Sequence, residues 1–548
     1  MAKIKFTKVF TIVFYILIFF LLLKNSLNYL DPDLGWHLKA GEEVAISKNV
    51  NSINHYNYVF ESGDTWVNHE WLSDFILFSV YDNYPYLFLN IIFALIIILV
   101  LVLAKNFIIN NFTKDKHSVY IVLLLSLFGV IASKPHLGIR IQEVSLLFLF
   151  IEITILHLFE KRSVENKKNN WTILFCLIPL LFLWANMHAG FLLGIFVLFF
   201  YCGLKIFEKI IYNFRNQTPL IEKFSKFFTF NTILENKDVK IFFVFTILAS
   251  LSTALTPYGL NLFEFLSSYQ NTAYLKIISE WLPQYYYPFS YWQIIYIGVT
   301  MAFLIYSFFI EKNKKDINNL WNFFIILLFV VLSIKSKRHF PLLFIVSLPF
   351  LSTVLYNEIS PILKNISIRK TKIDNFIKVY LFLLFACAIS SIILSTKKIE
   401  DPFTYFCDRY PCQALEFLQK DKNLENARIF NEYSWGGYLI HQWPEKKLFI
   451  DGRLPQKKIK DHSYVEEYKL FFSEEKTISE LINEYQIELF LIGNQEKKIK
   501  INWIDKNIFG IKEEKVKDDK NNLINFLEKN DQFEKIYEDK VGLIYHKL

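Results

Sequence analysis

The stretch Tyr29-Leu30-Asp31-Pro32-Asp33-Leu34-Gly35-Trp36-His37 decides how the chain is read, because it closes an apolar run over residues 9–30. Pro32 disfavours helical geometry at the residue before it, so the run stops here. A run of this length matches the ~20 apolar residues that cross a bilayer, and two carboxylates and an imidazole stand just past its end. Ionisable groups at that depth are costly unless a wet cavity or a partner receives them.

Other ionisable and polar patches repeat the pattern: Asn68-His69-Glu70, Lys134 to Gln142, Asn186 with His188, Glu280-Trp281 and Lys337-Arg338-His339. Candidate spans recur near 9–30, 86–104, 118–133, 143–159, 171–187, 190–208, 241–256, 292–310, 319–335, 340–356 and 376–395, eleven in all. At 53% hydrophobic and 18% aromatic residues, the chain is too apolar for an ordinary soluble protein. With the N-terminus inside, the inner segments carry 24 Lys and Arg and the outer ones 8. That asymmetry orients the spans and puts every patch on the outer face. The first span lacks a small-residue cleavage site and is read as retained. An odd span count places the C-terminus outside, in a protein of the cytoplasmic (plasma) membrane. The net charge of +8 is then mostly the positive-inside signal, and no nucleic-acid partner is implied.

The predicted fold is a polytopic α-helical membrane domain over 1–395, with outer loops at 31–85 and 257–291, followed by an extracytoplasmic α/β domain over 396–548. In the first loop, Asp33–Ala45 and Glu70–Tyr81 are patterned as helices lying amphipathically on the membrane surface. In the C-terminal domain, Arg428–Asn431, Tyr438–His441, Leu448–Asp451 and Glu488–Ile492 read as strands. Pro411–Lys420, Tyr464–Phe472, Thr477–Tyr485 and Asn521–Lys529 read as helices. Cys407 and Cys412 are close enough for a local disulfide in an oxidising compartment. No glycine-rich phosphate loop, zinc spacing or G-x-S-x-G elbow is present in the sequence.

A carboxylate at Asp31 or Asp33 suits a general base toward a hydroxyl, or a hard oxygen ligand for Mg2+ or Mn2+, with Asp31 the metal candidate. Either aspartate also suits the cap of the following helix. His37, His69 and Glu70 in the same loop tilt the patch toward a site. Lys134, Arg140, Arg338 and His339 are cationic groups on the side the positive-inside rule leaves poor. They fit an anionic headgroup, Arg best because its fork grips two phosphate oxygens, or they snorkel to phospholipid. His188, in a tight turn between two spans, hydrogen-bonds a phosphate or satisfies turn carbonyls. Trp435 and Tyr438, in Asn431-Glu432-Tyr433-Ser434-Trp435-Gly436-Gly437-Tyr438, stack on a sugar or pack as a bulge.

These features resemble the GT-C superfamily of integral membrane glycosyltransferases, which use polyprenyl-phosphate-linked sugar donors. Among them the oligosaccharyltransferase catalytic subunits begin their first loop with Asp-Pro, as at Asp31-Pro32. Ile277-Ile278-Ser279-Glu280 resembles their Thr/Ser-Ile/Val-x-Glu motif, and Ser434-Trp435-Gly436-Gly437-Tyr438, ahead of Asp451-Gly452-Arg453, echoes their Trp-Trp-Asp-Tyr-Gly. Glycine replaces the Asp of that last motif and segment 134–142 has no Asp-x-Asp, so the superfamily is carried over and the peptide acceptor is not. The resemblance implies an inverting or retaining transfer from a lipid-phosphate donor to an extracytoplasmic acceptor: a cell-envelope glycan, a lipid or a protein. Asp31 or Asp33 would be the base and Glu70 or Glu280 would position the acceptor. Arg140, Arg338, Lys134, His188 and His339 would hold the phosphate, and His37, His69, Trp281, Trp435 and Tyr438 would line the acceptor or sugar. Two other classes remain open: a flippase or transporter of lipid-linked sugars, which usually shows paired repeats, and a non-catalytic membrane scaffold.

Overall fold

The computed structural model describes residues 2–50, 53–60, 64–115, 118–165, 169–215, 237–269, 274–310, 320–365, 401–494, 501, 503–509, 511 and 520–548. Its N-terminal part is a helical bundle: α1 (Ala2–Leu27), α2 (Leu34–Ser47), α3 (Trp71–Asn83), α4 (Tyr86–Ile108), α5 (Val119–Ser133), α6 (Gln142–Val164), α7 (Leu177–Met187), α8 (Phe191–Arg215), α9 (Lys237–Ser252), α10 (Tyr291–Ile310), α11 (Leu320–Lys335) and α12 (Phe340–Asn365). Among the described residues, eight helical stretches are long and apolar enough to cross a membrane. They are Thr7–Leu27, Tyr86–Thr113, Val119–His136, Gln142–Val164, Asn170–Met187, Phe191–Glu208, Tyr291–Phe309 and Lys337–Pro361. The protein is therefore an integral membrane protein. Two of the eleven predicted spans, 241–256 and 319–335, are helices of only 16 residues, α9 and α11. The predicted span 376–395 and the boundary at 395/396 lie outside the described residues. Val100, Leu101, Ala104, Leu149, Leu181, Trp184, Phe329 and Leu343 form part of the buried centre of the bundle.

The C-terminal domain carries a four-stranded sheet. Its strands are β1 (Ile429–Asn431), β2 (Leu489–Gly493), β3 (Phe533–Glu538) and β4 (Gly542–Lys547), in the order β1-β2-β4-β3. β1 runs parallel to β2, and the other pairs are antiparallel. Helices α13 (Cys412–Lys420), α14 (Gly436–Gln442), α15 (Tyr464–Leu470), α16 (Glu475–Tyr485) and α17 (Lys520–Lys529) surround it. Side chains alternate across a strand. Leu489 and Leu491 accordingly face one core with Ile429 and Ile544, whereas Phe490 and Ile492 face a second with Phe430 and Tyr545. Cys407 and Cys412 are disulfide-bonded.

Three predicted details are corrected. Tyr438–His441 is helical, within α14, and not a strand, because the whole run from Gly436 to Ile440 is buried and packing overrides the β preference of Tyr-Leu-Ile. Leu448–Asp451 forms no named strand, and Leu448 makes only isolated bridges to Asn57 and Ile429. The first-loop helices exist, but α2 does not lie free on a surface. It is packed against α3 and α14, with Leu34, Trp36, Leu38 and Ala40 in a core shared with Leu439, Leu448 and Leu489. Gly437 permits this approach: a Cβ there would lie 2.2 Å from the carbonyl oxygen of Pro32.

Candidate active site

The Asp31-Pro32-Asp33 turn is held between the end of α1 and the start of α2. The Leu34 amide donates to the Asp31 carbonyl at 3.1 Å, and the Asp33 amide donates to Asp31 Oδ1 at 2.9 Å. Asp33 occupies the cap position of α2, but its side chain makes no cap bond. Its Oδ1 accepts from the Trp36 indole at 2.9 Å instead. Burial, and next the neighbouring Asp31 charge, push the Asp33 carboxyl up to about 6.

Arg140 precedes α6 and bridges two loops. Its Nε lies 2.9 Å from Asp31 Oδ2, and its Nη1 lies 2.5 Å from Glu280 Oε1. Glu280 is carried by a segment that pairs with the end of α11: the Arg338 amide donates to the Glu280 carbonyl at 2.9 Å and the Lys337 amide to the Leu282 carbonyl at 3.1 Å. Burial opposes the Glu280 charge, but Arg140 and Arg338 outweigh it and hold this carboxyl below its usual range. Arg338 lies over the Trp281 ring at 4.9 Å and only 3.8 Å from Glu280 Oε2. Its charge is also felt by Asp33, Glu70 and Tyr274.

Beside this pair of arginines sits a histidine-ringed carboxylate. Glu70 lies 3.9 Å from His37 Nε2, 3.7 Å from His69 Nε2 and 3.5 Å from His188 Nε2. His37 Nδ1 is 2.7 Å from Asp74 Oδ1. Burial works against protonation of His37, but Asp74, and then Glu70, raise it to about 9. His69 is pushed down to about 4 by burial. His188 Nδ1 faces the Gly190 amide at 3.0 Å and the Ser145 hydroxyl at 2.7 Å, and that hydroxyl itself accepts from Trp184 Nε1. Two donors on Nδ1 put the ring proton on Nε2, toward Glu70. Burial keeps His188 neutral. Trp71 Nε1 donates to Asn186 Oδ1 at 2.9 Å and ties α3 to the end of α7, which carries His188.

The structure thus gathers Asp31, Asp33, His37, His69, Glu70, Arg140, His188, Glu280, Trp281 and Arg338 at one end of the bundle. His339 stands edge-on to Trp281 at 5.8 Å. Lys134 is exposed in the turn after α5. Trp435 and Tyr438 sit inside the C-terminal domain: the Trp435 indole donates to the Arg409 carbonyl, and Tyr438 stacks on Tyr410. Several residues in or beside the cluster were absent from the sequence reading. Asp74, fully buried in α3, gave no signal beyond one charge in an apolar helix. Tyr269, Tyr274 and Tyr433 are electrostatically coupled to Asp33 and are indistinguishable in a sequence with 30 Tyr.

Asp31 and Glu280 meet at Arg140, and their oxygens do not fit a shared divalent ion. Asp31 Oδ1 takes the Asp33 amide and Oδ2 the Arg140 guanidinium. Glu280 Oε1 takes Arg140, and Oε2 faces Arg338. Among the described residues, no group of three His, Cys, Asp or Glu side chains is arranged to hold a metal.

A membrane bundle with charged loop residues at one end and a C-terminal sheet domain packed over its first loop is an architecture this chain shares with solved oligosaccharyltransferases. The solved structures it is similar to include the archaeal oligosaccharyltransferase AglB from Archaeoglobus fulgidus in complex with an inhibitory peptide and a dolichol-phosphate. That match has 11% identity and a TM-score of 0.51, over 90% of this chain and 70% of that one. The apo form of the Archaeoglobus fulgidus oligosaccharyltransferase matches with 10% identity and a TM-score of 0.52, over 87% and 69%. The same enzyme tethered to an acceptor peptide with the NVT sequon gives 10% identity and a TM-score of 0.53, over 87% and 69%. These likenesses are of fold. No family model matches the chain, and no curated protein matches it by sequence.

Proposed function

We propose that the protein is a membrane glycosyltransferase that moves a sugar from a polyprenyl-phosphate-linked donor to an acceptor on the extracytoplasmic side. The observation that carries this reading is the pairing, within this fold, of a buried carboxyl raised to about 6, Asp33, with a nearby cation, Arg338, which lies over Trp281 and, among the described residues, makes one long ion pair, to Glu280. A base with a pKa near working pH combines the right protonation state with useful driving force. Asp31 and Glu280 already face the Arg140 guanidinium.

In the proposed step the acceptor hydroxyl oxygen attacks the anomeric carbon, its proton passes to Asp33, and the bond from that carbon to the phosphate oxygen breaks. The departing phosphate keeps the bonding pair and its charge meets Arg338, a cation already in place. Trp281, beneath Arg338, fixes the guanidinium plane. Glu70, held by the protonated His37, orients the acceptor. Residues 1–395 carry this chemistry, and 396–548 seat the Asp31–Trp36 turn.

The test is transfer in proteoliposomes by the purified chain, with a synthetic polyprenyl-phosphate sugar as donor. Release of polyprenyl phosphate that needs an acceptor extract supports the reading, and none by the wild-type chain opposes it. Orientation is tested separately: a cysteine at 460 should react with an impermeant thiol reagent in intact cells, and one at 114 should not.

A further inference from the structure

We propose that Arg140 is the resident cation of this site, standing between Asp31 and Glu280 where a divalent ion would otherwise be held, so that the site assembles and works without a metal. This rests on reading the cluster as the transfer site, and it changes what that site requires.

Asp31 closes α1, Arg140 precedes α6 and Glu280 lies in the segment before α10, so Arg140 and Glu280 are 140 residues apart in sequence. Two carboxylates from distant loops brought to one point repel each other and need a cation between them. A divalent ion such as Mg2+ or Mn2+ would need about six oxygens around it, in octahedral array for Mg2+. Here the four oxygens of the two carboxylates face an amide, two edges of one guanidinium and a second guanidinium. The charges of Arg140 and Arg338 together balance those of Asp31 and Glu280. A metal entering this arrangement would add two positive charges beside two fixed ones.

Arg140 is also built in and not merely passing through. Its side chain is 12% exposed, and its guanidinium lies 5.8 Å from the centre of the Tyr29 ring. The planar fork bonds one loop along Nε and the other along Nη1, a directional bridge that an ammonium on a flexible stem does not reproduce. It locks the first loop to the Glu280 segment.

The experiment is uptake of Mn2+ by the purified full-length chain in detergent, read from loss of the free-ion EPR signal. It needs neither donor nor acceptor, so its failure is separate from a failure to find transfer. The wild-type chain should take up no Mn2+ at this pair. Arg140→Ser, which opens the gap, should take up one ion per chain and lose it again when Glu280→Gln is added. Arg140→Lys, which keeps the charge, should gain none. Uptake by the wild type that Asp31→Asn removes overturns the proposal, as does an Arg140→Ser chain that binds no ion. Wild-type uptake indifferent to Asp31→Asn lies elsewhere and sustains it. If Arg140→Ser does not fold, the wild-type and Asp31→Asn arms decide alone.

Discussion

Gly452 lies so close over Asp33 that a Cβ there would sit 2.3 Å from the Asp33 Oδ1. The C-terminal domain therefore touches the proposed base directly, through a residue with no side chain. Gly452→Ala must push the carboxylate off the Trp36 indole or displace the loop. Transfer should fall about 10-fold or more, as positioned groups lose rate on small misplacements, while the melting temperature changes little. Turnover and thermal melting of the variant check this, and an unchanged turnover would detach the domain from the chemistry.

Asp33→Asn should cost at least the ~10²-fold typical of a lost general base, with insertion and folding intact. The base acts unprotonated, so kcat/KM for the wild type should rise with pH through about 6, the value to which burial and Asp31 bring this carboxyl. Asp33→Asn should erase that limb. A pH profile of the variant that keeps it assigns the titration elsewhere.

Much of this site was legible and some was not, for physical reasons. Charges stranded at the ends of apolar runs are expensive, so Asp31, Asp33, Glu70, Arg140, Glu280 and Arg338 stood out from sequence alone. Which of them pair could not be read, because Arg140 meets Glu280 across 140 residues and only the fold closes that gap. The Phe533–Glu538 and Gly542–Lys547 hairpin escaped notice because Glu534, Lys535 and Glu538 blur its alternation on an edge strand. Its turn is set by Asp539, whose carboxylate accepts the Val541 and Gly542 amides at 2.7 Å. Gly437 is required by the close approach of the Pro32 carbonyl, a contact between residues distant in sequence that only the fold reveals.

Arg338 and Arg140 should respond differently to lysine. Arg338→Lys keeps a charge near the departing phosphate but loses the two-pronged grip and the stacking on Trp281. The donor KM should rise roughly 10-fold with normal expression, the scale of one lost directional contact. Arg140→Lys, which breaks the bridge between loops, should lower kcat itself. Steady-state kinetics with varied donor separates the two, and full activity in both would return these residues to a lipid-anchoring role.

His37 gives the fold a pH dependence of known sign. Against its ordinary 6.5, it titrates at about 9 in the folded chain, held up by Asp74 and Glu70 despite burial. A raised pKa means stability that is fully present below 6.5 and is lost as pH climbs through about 9. The melting temperature in detergent should fall across that window, and His37→Gln should flatten the fall. A wild-type melting temperature level over the window would place His37 outside the ion pair.

The most direct measurement is mass spectrometry of lipid-linked sugars and cell-envelope glycans from cells expressing the wild type, Asp33→Asn or no chain at all. Transfer from a polyprenyl-phosphate donor requires that one lipid-phosphate sugar accumulate, and one glycan disappear, in both the Asp33→Asn and the deleted cells. Lipid and glycan profiles identical across the three strains would contradict it.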